Sequence, residues 1–209
     1  MATNLSQTGF WPEANSNDEC IQLKRVRVAS GNGTAIFWGD CVTRTAAGVW
    51  GLATAGTTNP VGSVAQGASY MDSTQLVRKE NMFLPASTTY SGTAFDYYGE
   101  TDNSFIYIVT DPNSARFRCQ YSVGTPALTD MTKNASFAAG AGNTVNGISG
   151  HTLDQTTIQT TNTLAFAIMD IKRNVLNDVT SVNSKVIVQI NDSSLPGGPG
   201  TTGTGATGQ

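Results

Sequence analysis

Residues 105–121 read Phe-Ile-Tyr-Ile-Val-Thr-Asp-Pro-Asn-Ser-Ala-Arg-Phe-Arg-Cys-Gln-Tyr, two strand-like runs around a turn. In the second run Phe117, Cys119 and Tyr121 alternate with Arg116, Arg118 and Gln120. A period of two belongs to a strand with one buried and one wet face. The first run, Phe105-Ile106-Tyr107-Ile108-Val109, is continuously β-branched and aromatic, which predicts a strand covered on both faces. Between them Asp111-Pro112-Asn113-Ser114 puts proline at the second turn position. So short a connection predicts that the two strands are antiparallel neighbours.

The same reading extends outward. Val186, Val188 and Ile190 alternate with Lys185 and Gln189, and Leu164 to Lys172 forms a further β-like segment. Along Ile21 to Val28 the phase changes, with Ile21 and Leu23 on one face and Val26 and Val28 on the other. A bulge near Lys24-Arg25 would reconcile the two halves. Gly31-Asn32-Gly33 supplies residues tolerant of positive φ and predicts a tight hairpin joining Arg25–Val28 to Ala35–Trp38. No segment of about ten residues or more carries a helical apolar stripe. The predicted fold is all-β, an antiparallel barrel or sandwich with jelly-roll connectivity left open.

Composition narrows the function. The chain has 209 residues, of which 13% are charged, and a net charge of −3; soluble domains average about 25% charged residues. Thr, Ser, Asn and Gly carry the polarity instead, which disfavours long solvent-facing helices. No basic block exists to release counterions from a phosphate backbone, so nucleic acid is not an expected partner. Neither is a membrane: the longest apolar stretch, Leu164 to Met169, is far shorter than the roughly 20 residues that span a bilayer. Met1 to Phe10 has no basic residue followed by an apolar run, so no secretory signal is expected. Cys20, Cys41 and Cys119 are odd in number and lack metal-ligand spacing, which reads as buried, inert free thiols.

Three regions emerge. Residues 1–19 are polar around one aromatic knot, Phe10-Trp11-Pro12, and read as an N-terminal arm that floats or docks. Residues 20–192 form the β-rich body, either one unit or two β subdomains meeting near residues 85–104. Residues 193–209 are Gly, Thr and Pro with almost no apolar side chain. That composition cannot offset the entropy of ordering and predicts a flexible tail.

A convergent set of reactive groups is hard to find. His151 is the sole histidine. Ser149 precedes it in Gly147-Ile148-Ser149-Gly150-His151, but no G-x-S-x-G elbow surrounds that serine, so it reads as a surface or core histidine. Asp96, Glu100 and Asp102 match no calcium-loop spacing and read as a solvated loop. Tyr90, Phe95, Tyr97 and Tyr98 read as core or interface residues, and Trp38 and Trp50 as core aromatics. Arg116 and Arg118 share one strand face, which is either plain wet surface or a contact with acidic patches on a partner. No catalytic residue, cofactor or metal is expected.

The order of several segments carries a resemblance. Ile36-Phe37-Trp38-Gly39-Asp40-Cys41-Val42, the small-residue stretch Gly51 to Thr58, and Val61-Gly62-Ser63-Val64 resemble the pattern "strand, Gly-Asp-x-Val, Ala/Thr-rich turn, Val-Gly-x-Val" of the head decoration, or cement, proteins of tailed bacteriophages. Asp111-Pro112-Asn113 through Phe117 and Gln120 is similar to their Asp-Pro-Asn-x-x-Phe-x-x-Gln segment. Gly147-Ile148-Ser149-Gly150 with Leu153-Asp154, then Leu164 to Lys172 and Val186 to Asn191, completes a match over residues 20–192. The resemblance implies a non-enzymatic protein of the capsid exterior, made in the host cytoplasm, that acts as a homotrimer and clamps neighbouring major capsid subunits. Phe10 and Trp11 would then serve as the anchor of an arm that orders on binding, and Arg116 and Arg118 as further capsid or subunit contacts. Deleting residues 1–19 would release such a protein from heads without unfolding its body. The competing readings are a tail or fibre component, a carbohydrate-binding module using Tyr97, Tyr98 and Trp50, and a glycan hydrolase using Asp96 and Glu100.

Overall fold

The computed structural model describes residues 6–15, 20–29, 32–56, 61–72, 77–86, 104–173 and 177–191. It is all-β, with antiparallel sheets in a sandwich-like arrangement and no closed barrel. Among the described residues the helical turns are two short 3-10 segments, Leu128–Asp130 and Gln155–Thr157.

Strands are numbered in chain order. The first sheet runs β1 (Trp11–Asn15), β8 (Ala115–Gln120), β13 (Lys185–Ile190), β12 (Phe166–Ile171), β9 (Asn134–Ala135). The second runs β2 (Leu23–Arg27), β7 (Ser104–Val109), β5 (Ser63–Asp72), β3 (Cys41–Arg44), β4 (Trp50–Leu52), and β6 (Val77–Asn81) also pairs with β5. A short antiparallel pair, β10 (Phe137–Ala138) with β11 (Thr152–Leu153), joins the end of β8 through a bridge from Leu153 to Tyr121.

Two hydrophobic cores result. The first takes Phe117, Cys119, Val186, Val188, Phe166 and Ile168 from the first sheet and Cys41, Val64 and Val109 from the second. The other gathers Val28, Val42, Trp50, Ala65, Ala68, Tyr70, Ile106 and Ile108 inside the curled second sheet. Neighbours such as Cys41 and Val42, or Val64 and Ala65, therefore serve different cores. The second sheet is the wall between them, which explains the unbroken burial from Val61 to Ala65. On β5 the steps from Ala65 to Ala68 face only Ile108 to Ile106 on β7. This bulge holds Gly67 at φ +137°, where a Cβ would lie 3.3 Å from the Asn81 carbonyl oxygen, so glycine suits the position.

The alternation expected for β8 and β13 is present except at Gln120: Phe117, Cys119, Val186, Val188 and Ile190 are buried and Arg116, Arg118, Lys185 and Gln189 half-buried, but Gln120, expected on the wet face, is 4% exposed, its side-chain oxygen accepting the Gln7 N–H at 2.7 Å. Several pairings differ. The Asp111–Ser114 turn forms, with the Ala115 N–H donating to the Asp111 carbonyl at 3.2 Å, but β7 pairs with β2 and β5 while β8 pairs with β1 and β13. The turn is thus an arch from one sheet to the other, and the stretch 87–103, where a subdomain boundary is expected, lies outside the described residues. Phe105 and Tyr107 are not covered by a second layer. Arg25 lies 4.5 Å over the Phe105 ring, and the Tyr107 hydroxyl donates to Glu80 at 2.9 Å.

Gly31-Asn32-Gly33 does not join a hairpin, because Ile36 bridges Leu84 and Val28 bridges Trp50; Gly31 itself lies outside the described residues. The expected bulge in β2 is absent, since Leu23 to Arg27 pair without a shift against Val109 to Phe105. Leu23 is instead 50% exposed at the sheet edge. An edge beyond the core makes no demand on phase.

Among the described residues of the N-terminal segment, 6–15, the chain docks on the body. The Gly9 N–H donates to the His151 carbonyl at 2.7 Å and the Phe10 N–H to that of Gly39 at 3.0 Å, and β1 then adds an edge strand to β8. Phe10 is 0% exposed and stacks on Phe166 with ring centroids 4.5 Å apart. Gly39, at φ +90°, lets the two backbones meet, since a Cβ there would lie 3.0 Å from Gly9 Cα. The expected tail, residues 193–209, lies outside the described residues.

The cysteines also differ from expectation. All three are free, with Cys41 and Cys119 buried but Cys20 exposed. Burial pushes both inner thiols up from their ordinary value, and the thiolate is the reactive form. A thiol–disulfide reagent is expected to titrate one thiol fast on the native protein and the other two only after denaturation. Three fast thiols would contradict the packing.

Candidate functional site

Strand pleating sets which predicted contacts reach the surface. Adjacent residues point to opposite faces, so Phe10 enters the core while Trp11 emerges on the outer face of the first sheet. Phe10 is therefore removed from the candidate contacts by burial. Trp11, Arg116 and Arg118 do come together. Trp11 sits opposite Arg118 in the β1–β8 register, and the Arg118 guanidinium lies 5.9 Å from its ring centroid. The other side of Trp11 packs on Trp38 at 4.3 Å, and its indole N–H donates to the Thr8 carbonyl at 2.9 Å.

Three further charges join this face. Glu13 accepts from Arg118 at 3.3 Å and also pairs with Lys172. Lys172 is tied by its N–H to the Lys185 carbonyl at 3.1 Å. The Lys185 ammonium is held below its ordinary value by burial, then by the Arg118 and Lys172 charges. Arg118 and Lys172 thus meet at Glu13, with Lys185 near both and Arg116 on the same sheet face. The Nε atoms of Arg116 and Arg118 are sealed from solvent without a hydrogen-bond partner. Each is a donor with bonding capacity left over. Glu13 lies two residues from Trp11, a spacing legible in the sequence; Lys172 and Lys185 arrive through the β12–β13 pairing, which no local pattern announces.

A second polar cluster is buried behind the N-terminal segment. Asp40 and His151 are 2% and 4% exposed, with Nε2 3.5 Å from Oδ1. Asp40 Oδ2 accepts the Phe37 N–H at 2.7 Å, and His151 Nδ1 accepts the Cys41 N–H at 3.1 Å. Ser149 hydrogen-bonds to Asp40, and its hydroxyl oxygen accepts the His151 N–H at 2.9 Å. Desolvation raises Asp40 and lowers His151, while each opposes the other's shift electrostatically.

Ser, His and Asp are the residue types of a nucleophilic relay, but the connections differ. The serine is bonded to the acid, and one imidazole nitrogen is occupied by a backbone N–H while the other faces Asp40. Neither nitrogen is placed to take a proton from Ser149, as that chemistry requires. The cluster instead fastens Asp40 and His151 to backbone, beside the Gly39 and His151 carbonyls that hold the N-terminal segment.

Trp50 is 6% exposed inside the second core, so it offers no stacking surface. Tyr90, Phe95, Asp96, Tyr97, Tyr98, Glu100 and Asp102 lie outside the described residues. Among the described residues no group of three His, Cys, Asp or Glu side chains is placed to hold a metal ion, and no helix is long and apolar enough to cross a membrane. No protein-family model, curated protein or solved structure matches the chain.

Proposed function

We propose that this protein is a non-enzymatic structural component of a phage virion, binding the capsid exterior as a homotrimer and bridging neighbouring major capsid subunits. The observation that carries the reading is the cationic outer face of the first sheet, where Arg118 and Lys172 pair with Glu13 beside Trp11, Lys185 lies near both cations, and Arg116 follows Arg118 on the same strand face. The chain as a whole is acidic, at −3, so this face is a local reversal of sign. Strands hold the charges at fixed positions. An acidic patch repeated on a lattice complements that face. Electrostatic complementarity supplies orientation and encounter rate, and simultaneous engagement of several sites multiplies modest contacts into retention. The order of sequence segments described above supports the same role.

The test is re-addition of purified protein to capsids lacking it. Changing Arg116→Glu together with Arg118→Glu is expected to lower occupancy about tenfold, equivalent to about 1.4 kcal/mol. Thermal unfolding is measured alongside, because Arg118→Glu also replaces the pair with Glu13 by two like charges. Full occupancy by a folded double variant overturns the use of this face. Copies that number far below the shell subunits, or that fractionate with tails, favour a tail or fibre component instead.

A further inference from the structure

The N-terminal segment and the loop 141–149 enclose a cleft of about 200 Å³. One wall carries Ser6, Gln7 and Trp11, the other Asn143, Asn146 and Ile148. Among the described residues no ionisable side chain lines it, and Arg118, which approaches Trp11, is engaged with Glu13 at 3.3 Å. The polar groups on the walls are amides and hydroxyls with bonding capacity to spare. Asn143 Oδ1 accepts the Val145 N–H at 2.8 Å and Asn146 Oδ1 accepts the Ile148 N–H at 3.0 Å. These bonds orient both carboxamides and leave their Nδ2 groups as open donors among the described residues. The Gln7 backbone N–H is bound to Gln120 at 2.7 Å, while its carboxamide is unengaged among the described residues. The walls are fixed by the fold itself. The Asn143 N–H donates to the Ile148 carbonyl and the Gly147 N–H to that of Asn143, both at 2.8 Å. The Thr8 hydroxyl donates to the Ser149 carbonyl, fastening segment to loop, and the Trp11 indole N–H donates to the Thr8 carbonyl at 2.9 Å.

We infer that this cleft binds one neutral sugar ring, with Asn143, Asn146 and Gln7 reading its hydroxyls and Trp11 and Ile148 meeting its C–H face. A hydroxyl both donates and accepts, so it answers the asparagine donors and the Gln7 oxygen alike. A charged ligand would lose its hydration here without a counter-charge to offset the loss. Size points to a single ring, since the cleft is smaller than the roughly 300–1,000 Å³ of pockets that hold drug-sized molecules. Trp11 is a wall rather than a stacking platform, because Trp38 already packs against it at 4.3 Å. A peptide fits less well, because the recognising groups are side-chain amides rather than an open strand edge. Preformed walls reduce the ordering cost of binding. The inference is independent of the capsid reading and is tested without capsids.

The experiment titrates the full ¹⁵N-labelled chain with the methyl glycosides of glucose, galactose, mannose and N-acetylglucosamine. Glucuronate and a capped trialanine serve as parallel probes. A neutral glycoside is expected to bind with millimolar affinity and to shift the side-chain amide signals of Gln7, Asn143 and Asn146. Asn143→Asp and Asn146→Asp each keep the oxygen that accepts a backbone N–H and lose the donor, so each should weaken binding about fivefold, the range for one hydrogen bond. Gln7→Ala removes a carboxamide that holds nothing else among the described residues, and it should weaken binding by a similar factor. Three results overturn the inference: none of the glycosides shifting these signals, unchanged affinity in all three variants, or glucuronate or trialanine binding there as tightly as the best glycoside. The first two remove the site. The last replaces its ligand.

Discussion

Changing Phe10→Ala is expected to destabilise the protein by about 3–5 kcal/mol, the range for emptying a buried aromatic site. The ring is 0% exposed, stacks on Phe166 and joins the core formed with Phe117, Val186 and Val188. Its loss also loosens the segment whose N–H groups bond to Gly39 and His151. Trp11→Ala is the control, because that half-buried ring lies on the outer face and its removal should shift the urea midpoint less. Equal midpoints for the Phe10 variant and the parent, at unchanged slope, would contradict the packing. Removing residues 1–19 deletes both Phe10 and strand β1, so it is expected to unfold or severely destabilise the body. Truncation therefore cannot separate binding from folding in this protein, whereas Arg116 and Arg118 lie on the outer face and their substitution leaves Phe10 and β1 in place.

The second large effect is expected from Asp40→Ala, at about 3 kcal/mol, since it leaves the buried Phe37 N–H and Ser149 hydroxyl without an acceptor. The same pair gives stability a pH dependence. His151 is held below its ordinary value of 6.5 by burial, so the unfolded chain takes up a proton first as pH falls. Its contribution is fully present above about pH 6.5 and is lost progressively on acidification below it. Asp40 acts in the opposite sense: its folded value is raised above 3.8 by burial, so it favours the folded state in acid and loses that contribution as pH rises through the raised value. Between pH 7 and 5.5 the ordinary carboxylates remain ionised and His151 is the chain's sole histidine, so the interval reads this pair, with the lowered histidine working against the folded state on acidification. Stability measured by urea unfolding should fall over that interval in the parent, and His151→Gln should flatten the curve. A parent whose stability does not change between pH 7 and 5.5 would show that the imidazole is not held neutral by its surroundings.

Much of the fold was legible in the chain. Arg116 to Cys119 and Lys185 to Ile190 carry their inner and outer faces in plain alternation, and the absence of helical periodicity excluded the other fold classes. Pairing was not legible. Asp111-Pro112-Asn113-Ser114 has the local chemistry of a tight connection and makes one, yet it joins strands of different sheets. Backbone dihedrals at a turn reverse the chain without deciding which edge is open to the strand that follows. Gly31-Asn32-Gly33 misleads for the same reason, because Val28 and Ile36 find partners at Trp50 and Leu84.

The candidate site divides similarly. Trp11, Arg116 and Arg118 were visible as outward-facing residues, but Phe10 and Trp11 read as one anchor until the pleat of β1 sent them to opposite faces. Lys172 and Lys185 reached the site through strand pairing, and Asp40 met His151 across more than half the chain.

By itself the sequence determined that this protein is built of strands and, along most of them, which side chains turn inward, because a period of two follows from the backbone pleat and needs no partner. The tertiary structure decided which strands pair, that the N-terminal segment completes the core, and which charges converge on one face. Those outcomes depend on edges and cavities created only when distant segments pack together.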